Sequence, residues 1–203
     1  LLLDGSILPQ VGDRPSRESG IYGDYELVLQ KFTELYEFTQ ANGIFLAGVI
    51  KDSRGKHFID LLLKNASAGL GEFAGALGKA NDTTFLSDFL SAGERTPAFK
   101  YSSAQSEHSV LRDLGDWGKK VASFYVKPVE YDRPLRVDFL LPENNVQIAE
   151  LAEHVNSLSQ GNKEYAYPAA LIEADLRAAM DPAELEFVSS ALFAQAGRTA
   201  DLM

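Results

Sequence analysis

Hydrophobic residues are arranged along the chain both in short continuous runs and at helical spacing. The run at 1–3 ends in Asp4-Gly5-Ser6 and predicts a buried strand that enters a turn. From Tyr25 the apolar residues recur at helical spacing as far as Asn42-Gly43, a typical helix stop. The apolar run at 44–50 predicts a second strand that is covered on both faces. Strand, helix and strand in this order favour a right-handed crossover between parallel strands.

The rest of the chain continues this mixture of strands and helices. Residues 121–126 and 135–141 are rich in β-forming residues and are separated by a turn at 131–134, so they predict an antiparallel hairpin. The Gly-rich stretch 69–78 lacks the Walker pattern and predicts a mobile connection. Further helices are predicted at 57–64, at 83–90, over the apolar stripe from 148 to 158, after Pro168 and after the cap at Asp181-Pro182. The sequence therefore predicts a mixed α/β fold.

Composition removes several classes of function. The chain has 203 residues, which favours one large domain. It carries 19 Lys and Arg against 29 Asp and Glu, a net charge of −10, so coating nucleic acid through bulk positive charge is disfavoured. Without cysteine there is no thiolate nucleophile, iron–sulfur cluster or disulfide framework, which fits a reducing cytoplasm. No apolar run reaches the length of a membrane span, so we expect a soluble protein.

Two carboxylates are notable for their positions. Asp4 follows a predicted strand, at the edge where ligands gather in open α/β sheets. Asp175 lies in an apolar helical stretch on the same predicted face as Leu171 and Tyr167, and a core-facing acid needs a cation or several donors beside it. Such carboxylates suit Mg²⁺ or Mn²⁺ in phosphodiester cleavage. The alternatives are a simple strand-to-turn role for Asp4 and a structural ion pair with an arginine for Asp175.

Basic residues are scattered against the acidic background. Four of them are candidate contacts for phosphate: Lys51, Arg54, Arg95 and Arg136. For Lys51 and Arg54 the alternative is a solvated loop. For Arg95 and Arg136 the alternative is a structural ion pair with Asp88 or Asp138.

An ordered series of motifs resembles the NurA nuclease family. The series comprises LLLDGSIL at 1–8, LAGVIKDSR at 46–54, LSDFL at 86–90, GERTPAF at 93–99, FYV at 124–126, RVD at 136–138 and YPAALIEAD at 167–175. The resemblance extends from Leu1 to about Met180. It implies an RNase H-like mixed sheet flanked by helices, lacking its N-terminal strands. It also implies that residues 1–203 are a single nuclease domain, the later part of the family's domain.

The same resemblance implies a function. NurA proteins are metal-dependent DNA nucleases that use Mn²⁺ or Mg²⁺. They process DNA ends in recombinational repair as homodimers, together with the hexameric translocase HerA. We therefore expect a cytoplasmic hydrolase of this kind. The rival hypothesis is a non-catalytic RNase H-like module for interaction or dimerisation.

The resemblance also implies roles for particular residues. Asp4 corresponds to the second of the family's two strand-end aspartates, a metal ligand. Tyr167 corresponds to a tyrosine that helps to hold metal or substrate. Asp175 stands where the family carries a histidine, and we expect it to be a catalytic residue and a metal ligand. The family's first aspartate and a helix glutamate lie ahead of the segment that Leu1 matches, so we expect residues 1–203 alone to bind metal weakly and to cleave DNA poorly.

Overall fold

The computed structural model describes residues 1–65, 73–102, 108–142 and 145–200. The chain divides into two compact units, Leu1–Leu171 and Ile172–Met203. The first unit contains a five-stranded sheet and most of the helices. The second contains the greater part of one helix and the whole of the last.

The sheet is mixed. Its strands are β1 (Leu2–Asp4), β2 (Ala47–Ile50), β3 (Phe99–Lys100), β4 (Val121–Val126) and β5 (Leu135–Leu140). They lie in the order β1-β2-β5-β4-β3. The β1–β2 pair is parallel, and the other three pairs are antiparallel. The predicted parallel pair and the predicted hairpin are both confirmed.

Most of the described chain outside the sheet is helical. A 3₁₀ helix at Val11–Asp13 precedes α1 (Tyr22–Ala41), α2 (His57–Asn65), α3 (Phe73–Leu77), α4 (Asp82–Phe89), α5 (Ser109–Asp113), α6 (Asp116–Lys120), α7 (Asn145–Leu158), α8 (Ala169–Ala178) and α9 (Pro182–Ala200). The cap predicted for the last helix is confirmed, because Asp181 Oδ1 accepts from the Ala183 amide at 2.8 Å. Among the described residues, no helix is both long and apolar enough to cross a membrane.

The Gly-rich stretch 69–78 is only partly the connection that we predicted. Residues 66–72 lie outside the described part, so the predicted mobility is not tested there. Phe73–Leu77 forms α3. The prediction is therefore wrong for this segment, where alanine and leucine, both good helix formers, offset one glycine.

Strand β1 lies at the edge of the described sheet and not in its interior. Leu1 is 53% exposed, and Leu2 and Leu3 are only half-buried. The prediction of a buried strand at 1–3 is wrong in this respect, because β1 has a described neighbour on one side only. Strand β2 is buried from Ala47 to Val49, as its continuous apolar sequence predicted.

The segment after β1 crosses one face of β2 at Gly48. A Cβ on Gly48 would lie 2.3 Å from the Gly5 carbonyl oxygen and 2.7 Å from the Ile7 amide nitrogen. Only glycine permits this approach. The crossing directs Ile7 into a core with Tyr36 of α1, whose hydroxyl donates to the Ile7 carbonyl at 2.5 Å.

Candidate active site

The carboxyl ends of β1 and β2 meet at one end of the sheet because the two strands are parallel. Asp4 is the last residue of β1 and pairs with Val49, while Lys51 directly follows β2. Strand β5 is antiparallel to β2, with Arg136 opposite Ile50, so the loop that precedes β5 comes to the same end. Three chain segments therefore converge where ligands gather in sheets of this type.

Asp4 is held by Tyr167. The Tyr167 hydroxyl lies 2.5 Å from Asp4 Oδ1 and 2.9 Å from the Val49 carbonyl oxygen. The Asp4 side chain is nevertheless exposed, so it is accessible from solvent. Gly5 follows with φ of +100°, a conformation that suits glycine and turns the chain away from the strand end. The site thus presents one accessible carboxylate whose orientation is fixed by a largely buried tyrosine.

Asp132, in the loop between β4 and β5, connects this point to Lys51. Its Oδ2 accepts from Lys51 Nζ at 2.7 Å and from the Ala166 amide at 2.7 Å. Its Oδ1 accepts from the Arg133 amide at 2.8 Å. Burial of the carboxyl opposes ionisation, but these donors outweigh it and hold the pKa of Asp132 below its usual range.

An aromatic contact completes the group. Lys51 Nζ lies 3.3 Å from the centre of the Tyr165 ring, which is a cation–π geometry. The Tyr165 and Tyr167 rings are 6.4 Å apart. We call Asp4, Lys51, Asp132, Tyr165 and Tyr167 the strand-end cluster. Its cation is neutralised within the cluster, and its exposed anion is Asp4.

The strand-end cluster can supply part of a cation site. Asp4 offers a carboxylate oxygen of the kind that hard divalent cations bind. Among the described residues, however, no group of three or more His, Asp or Glu side chains is placed to hold a metal.

Asp175 is positioned differently from the sequence expectation. It is an exposed residue of α8, in the second unit, so the expectation of a core-facing acid is wrong. Tyr167 precedes the first residue of α8, so the two do not share one continuous helix as we predicted. The role of Asp175 as a metal ligand stays a prediction.

The candidate phosphate contacts have different surroundings. Arg136 Nε donates to Asp138 Oδ1 at 2.8 Å, which is the ion pair of the structural alternative, and a phosphate contact of Arg136 stays a prediction. Because side chains alternate along strands, Arg136 lies on the face of Gly48, whereas Asp4 lies on the opposite face with Val49.

The remaining two arginines lie in loops. Arg95 donates to the Thr96 carbonyl at 2.9 Å and makes no ion pair with Asp88 in the described part of the chain. Arg54 is exposed in the loop after β2. Of the four candidates, only Lys51 belongs to the strand-end cluster.

The sequence analysis did not identify three residues that make important contacts in the structure. Asp132 was part of a predicted turn, and Tyr165 was not singled out. Asp82 is buried and accepts from the Phe58 and Ile59 amides at 3.0 and 2.9 Å, where it caps α2. The predicted hairpin turn was the one available signal for Asp132, but it indicates a role only once the pairing of β5 with β2 is known.

Comparison with known proteins gives a consistent result. A family model described as the NurA domain matches residues 1–180. The fold is similar to the crystal structure of the NurA nuclease from Sulfolobus solfataricus, with a TM-score of 0.51 and 16% identity over 86% of this chain. The match covers 44% of that protein, so this chain corresponds to less than half of its length. No curated protein matches the sequence. Since the family model covers nearly the whole of its 203 residues, this chain belongs to the NurA family.

Proposed function

We propose that the chain acts in a metal-dependent DNA nuclease of the NurA type, with Asp4 as a metal ligand and Tyr167 as the residue that orients it. The observation that carries the proposal is the contact of Tyr167 with Asp4 at the carboxyl end of β1, in a chain of the NurA family. Strand ends of this kind collect ligands in related sheets. The fold likeness to a NurA nuclease supports the same reading.

The proposed nuclease depends on a divalent metal. Mg²⁺ takes few protein carboxylates and fills its remaining positions with water and substrate oxygens. Asp4 would supply one such oxygen. Asp175 is the further candidate in this chain.

Lys51 is the best supported of the candidate phosphate contacts. Its Nζ lies 2.7 Å from Asp132 Oδ2 and over the Tyr165 ring. These two contacts hold the ammonium at the end of the sheet that carries Asp4. An ammonium has three donors, so Lys51 can donate to a phosphate oxygen without breaking the ion pair. Arg54, in the same loop, is exposed and is a second candidate contact for the DNA phosphates.

The partners proposed with this function are DNA, a second copy of the chain and a HerA-type hexameric translocase, in the cytoplasm. DNA end processing in recombinational repair is the corresponding role. The exposed apolar residues of α9 support a protein contact, because large exposed apolar patches mark interaction surfaces.

The test is cleavage of linear DNA with Mn²⁺ or Mg²⁺ by the unaltered protein and by Asp4→Asn. The amide is nearly isosteric with the carboxylate but carries no charge, so we expect Asp4→Asn to abolish the slow cleavage expected of residues 1–203. Mn²⁺ binding, followed by electron paramagnetic resonance, should weaken in parallel.

Asp116→Asn is the matched control. Asp116 is an exposed acid of α6 that contacts Lys119, and its loss should change neither readout. A protein that binds neither metal nor DNA would support the interaction module instead. Cleavage that survives Asp4→Asn unchanged would assign Asp4 to the turn alone.

A further inference from the structure

A cavity of about 320 Å³ opens at the other end of the sheet, where β2 begins and β5 ends. Its walls come from the last turns of α1, the residues just before β2, the end of β5, α6 and the first turns of α7. All of these belong to the first unit. Its size is at the lower end of the range for small-molecule sites, which is about 300 to 1,000 Å³.

The lining combines apolar and polar groups, and its charge is unusual for this protein. Phe139, Ile148 and Leu151 form much of the apolar wall, and all three are nearly fully buried. None of the described residues that line the cavity is acidic, although the whole chain has 29 acidic residues and a net charge of −10. Lys120 is the charged group in that lining.

The position of Lys120 is fixed by its surroundings. Its Nζ lies 4.3 Å from the centre of the Trp117 ring, which also lines the cavity. Its carbonyl oxygen accepts from the Leu141 amide at 2.7 Å, which ties the end of α6 to the end of β5. No carboxylate of the described residues lies within ion-pair distance of Lys120.

We propose that this cavity binds a small amphipathic anion, with an alkyl or aryl body against the apolar wall and a carboxylate on Lys120. A pocket with an apolar wall on one side and one placed cation favours a ligand of this class, because Lys120 offers the anion a charge-assisted donor. The proposal does not depend on nuclease activity, since the cavity lies at the opposite end of β2 from Asp4.

Trp117 supplies a specific probe, because it is the single tryptophan of the chain. Octanoate is titrated below its micelle-forming concentration while Trp117 fluorescence is recorded. Octan-1-ol and octylammonium serve as neutral and cationic ligands of the same length. We expect a saturable change with octanoate, and at least tenfold weaker binding of the other two.

Lys120→Met keeps most of the length of the side chain and removes its charge. It should weaken octanoate about tenfold and leave octan-1-ol unchanged. Lys119→Met is the matched control, because Lys119 is an exposed neighbour on the same helix that pairs with Asp116 at 2.6 Å. That variant should bind octanoate like the unaltered protein. Circular dichroism and thermal unfolding confirm that both variants are folded.

The proposal is overturned by any of three results. The first is no saturable response to octanoate in the folded protein, which would leave the cavity to a polypeptide partner. The second is octylammonium binding as tightly as octanoate. The third is an equal effect of the Lys119 and Lys120 substitutions, because it would trace the binding to general charge and not to the cavity.

Discussion

The ion pair between Asp132 and Lys51 differs in burial from the ion pairs of the open surface. Its side chains are 13% and 18% exposed, whereas Lys31 and Glu34 of α1 are 64% and 48% exposed. Exposed pairs contribute little to stability because water and salt screen them. Breaking a largely buried pair leaves an unpaired charge and is more costly.

Asp132→Asn should therefore lower the free energy of unfolding at pH 7 by about 1 to 2 kcal/mol. The pKa of Asp132 is lowered in the folded protein, so its contribution is complete above the unfolded pKa of about 3.9. It is lost as the pH falls through the lower folded pKa. Urea unfolding should thus show a constant difference between pH 5 and 8 that shrinks below about pH 4.

Glu34→Gln is the control for this prediction. It removes a carboxylate that contacts Lys31 at 2.8 Å on the open surface, and we expect no measurable change at either pH. A difference for Asp132→Asn that persists undiminished at pH 2 would contradict the ion-pair explanation.

A second prediction for a single residue concerns Tyr167. Tyr167→Phe keeps the ring and removes the hydroxyl that lies 2.5 Å from Asp4, so Asp4 loses the contact that orients it. We expect a loss of about 1 kcal/mol in stability. In the proposed nuclease the cleavage rate should fall about 100-fold, because a misplaced catalytic group loses most of its effect. Tyr165→Phe, which keeps the ring beneath Lys51, should be close to neutral in both assays.

The same residues show what sequence reasoning could and could not find. Asp4 was found from its position after a predicted strand, and the role of Tyr167 came from a family resemblance. No role was found for Asp132, because its partners Lys51 and Ala166 are 81 and 34 residues away along the chain. Local patterns carry no information on such distances. The turn at 131–134 was predictable, but its neighbours depend on the pairing of β5 with β2.

Whole elements were more predictable than single contacts. The hairpin of β4 and β5 and the helices α1, α2, α4 and α7 follow from periodicity and from their start and stop residues. Strand β3 and helices α5 and α6 have two to five residues each, too few for a period to develop. The exposure of β1 was not predictable, because an apolar run does not state whether one or two strands lie beside it.

The prediction for whole elements concerns Gly48 of β2. A Cβ there would lie 2.3 Å from the Gly5 carbonyl oxygen, which is backbone and cannot move independently of β1. Gly48→Ala should therefore displace the 5–7 segment from β2 and lower the free energy of unfolding by about 2 kcal/mol or more. Chemical denaturation followed by circular dichroism measures it.

Gly12→Ala is the matched control for that substitution. Nothing lies within 4 Å of a Cβ at Gly12, and the residue has no positive φ. We expect Gly12→Ala to be neutral or slightly stabilising, because alanine reduces the entropy of the unfolded chain. Equal stability of the two variants would show that the crossing at Gly48 is not tightly packed.

At the scale of the whole molecule, the second unit carries an exposed apolar helix face. Leu185, Val188 and Leu192 of α9 are spaced by three and four residues, so they share one face. They are 58%, 41% and 63% exposed. Such a face needs a partner to be stable in water, and the homodimer of the proposed function is the partner that we test.

Leu192→Asp should weaken self-association at least tenfold, because it replaces buried apolar contact with a charge that must be desolvated. Sedimentation equilibrium over a range of concentrations measures the dissociation constant. Ser190→Asp introduces the same charge on the same helix away from the stripe, and it should leave self-association unchanged. A dimer that tolerates Leu192→Asp would have its contact elsewhere, and a protein that stays monomeric at every concentration would remove the homodimer from the proposal.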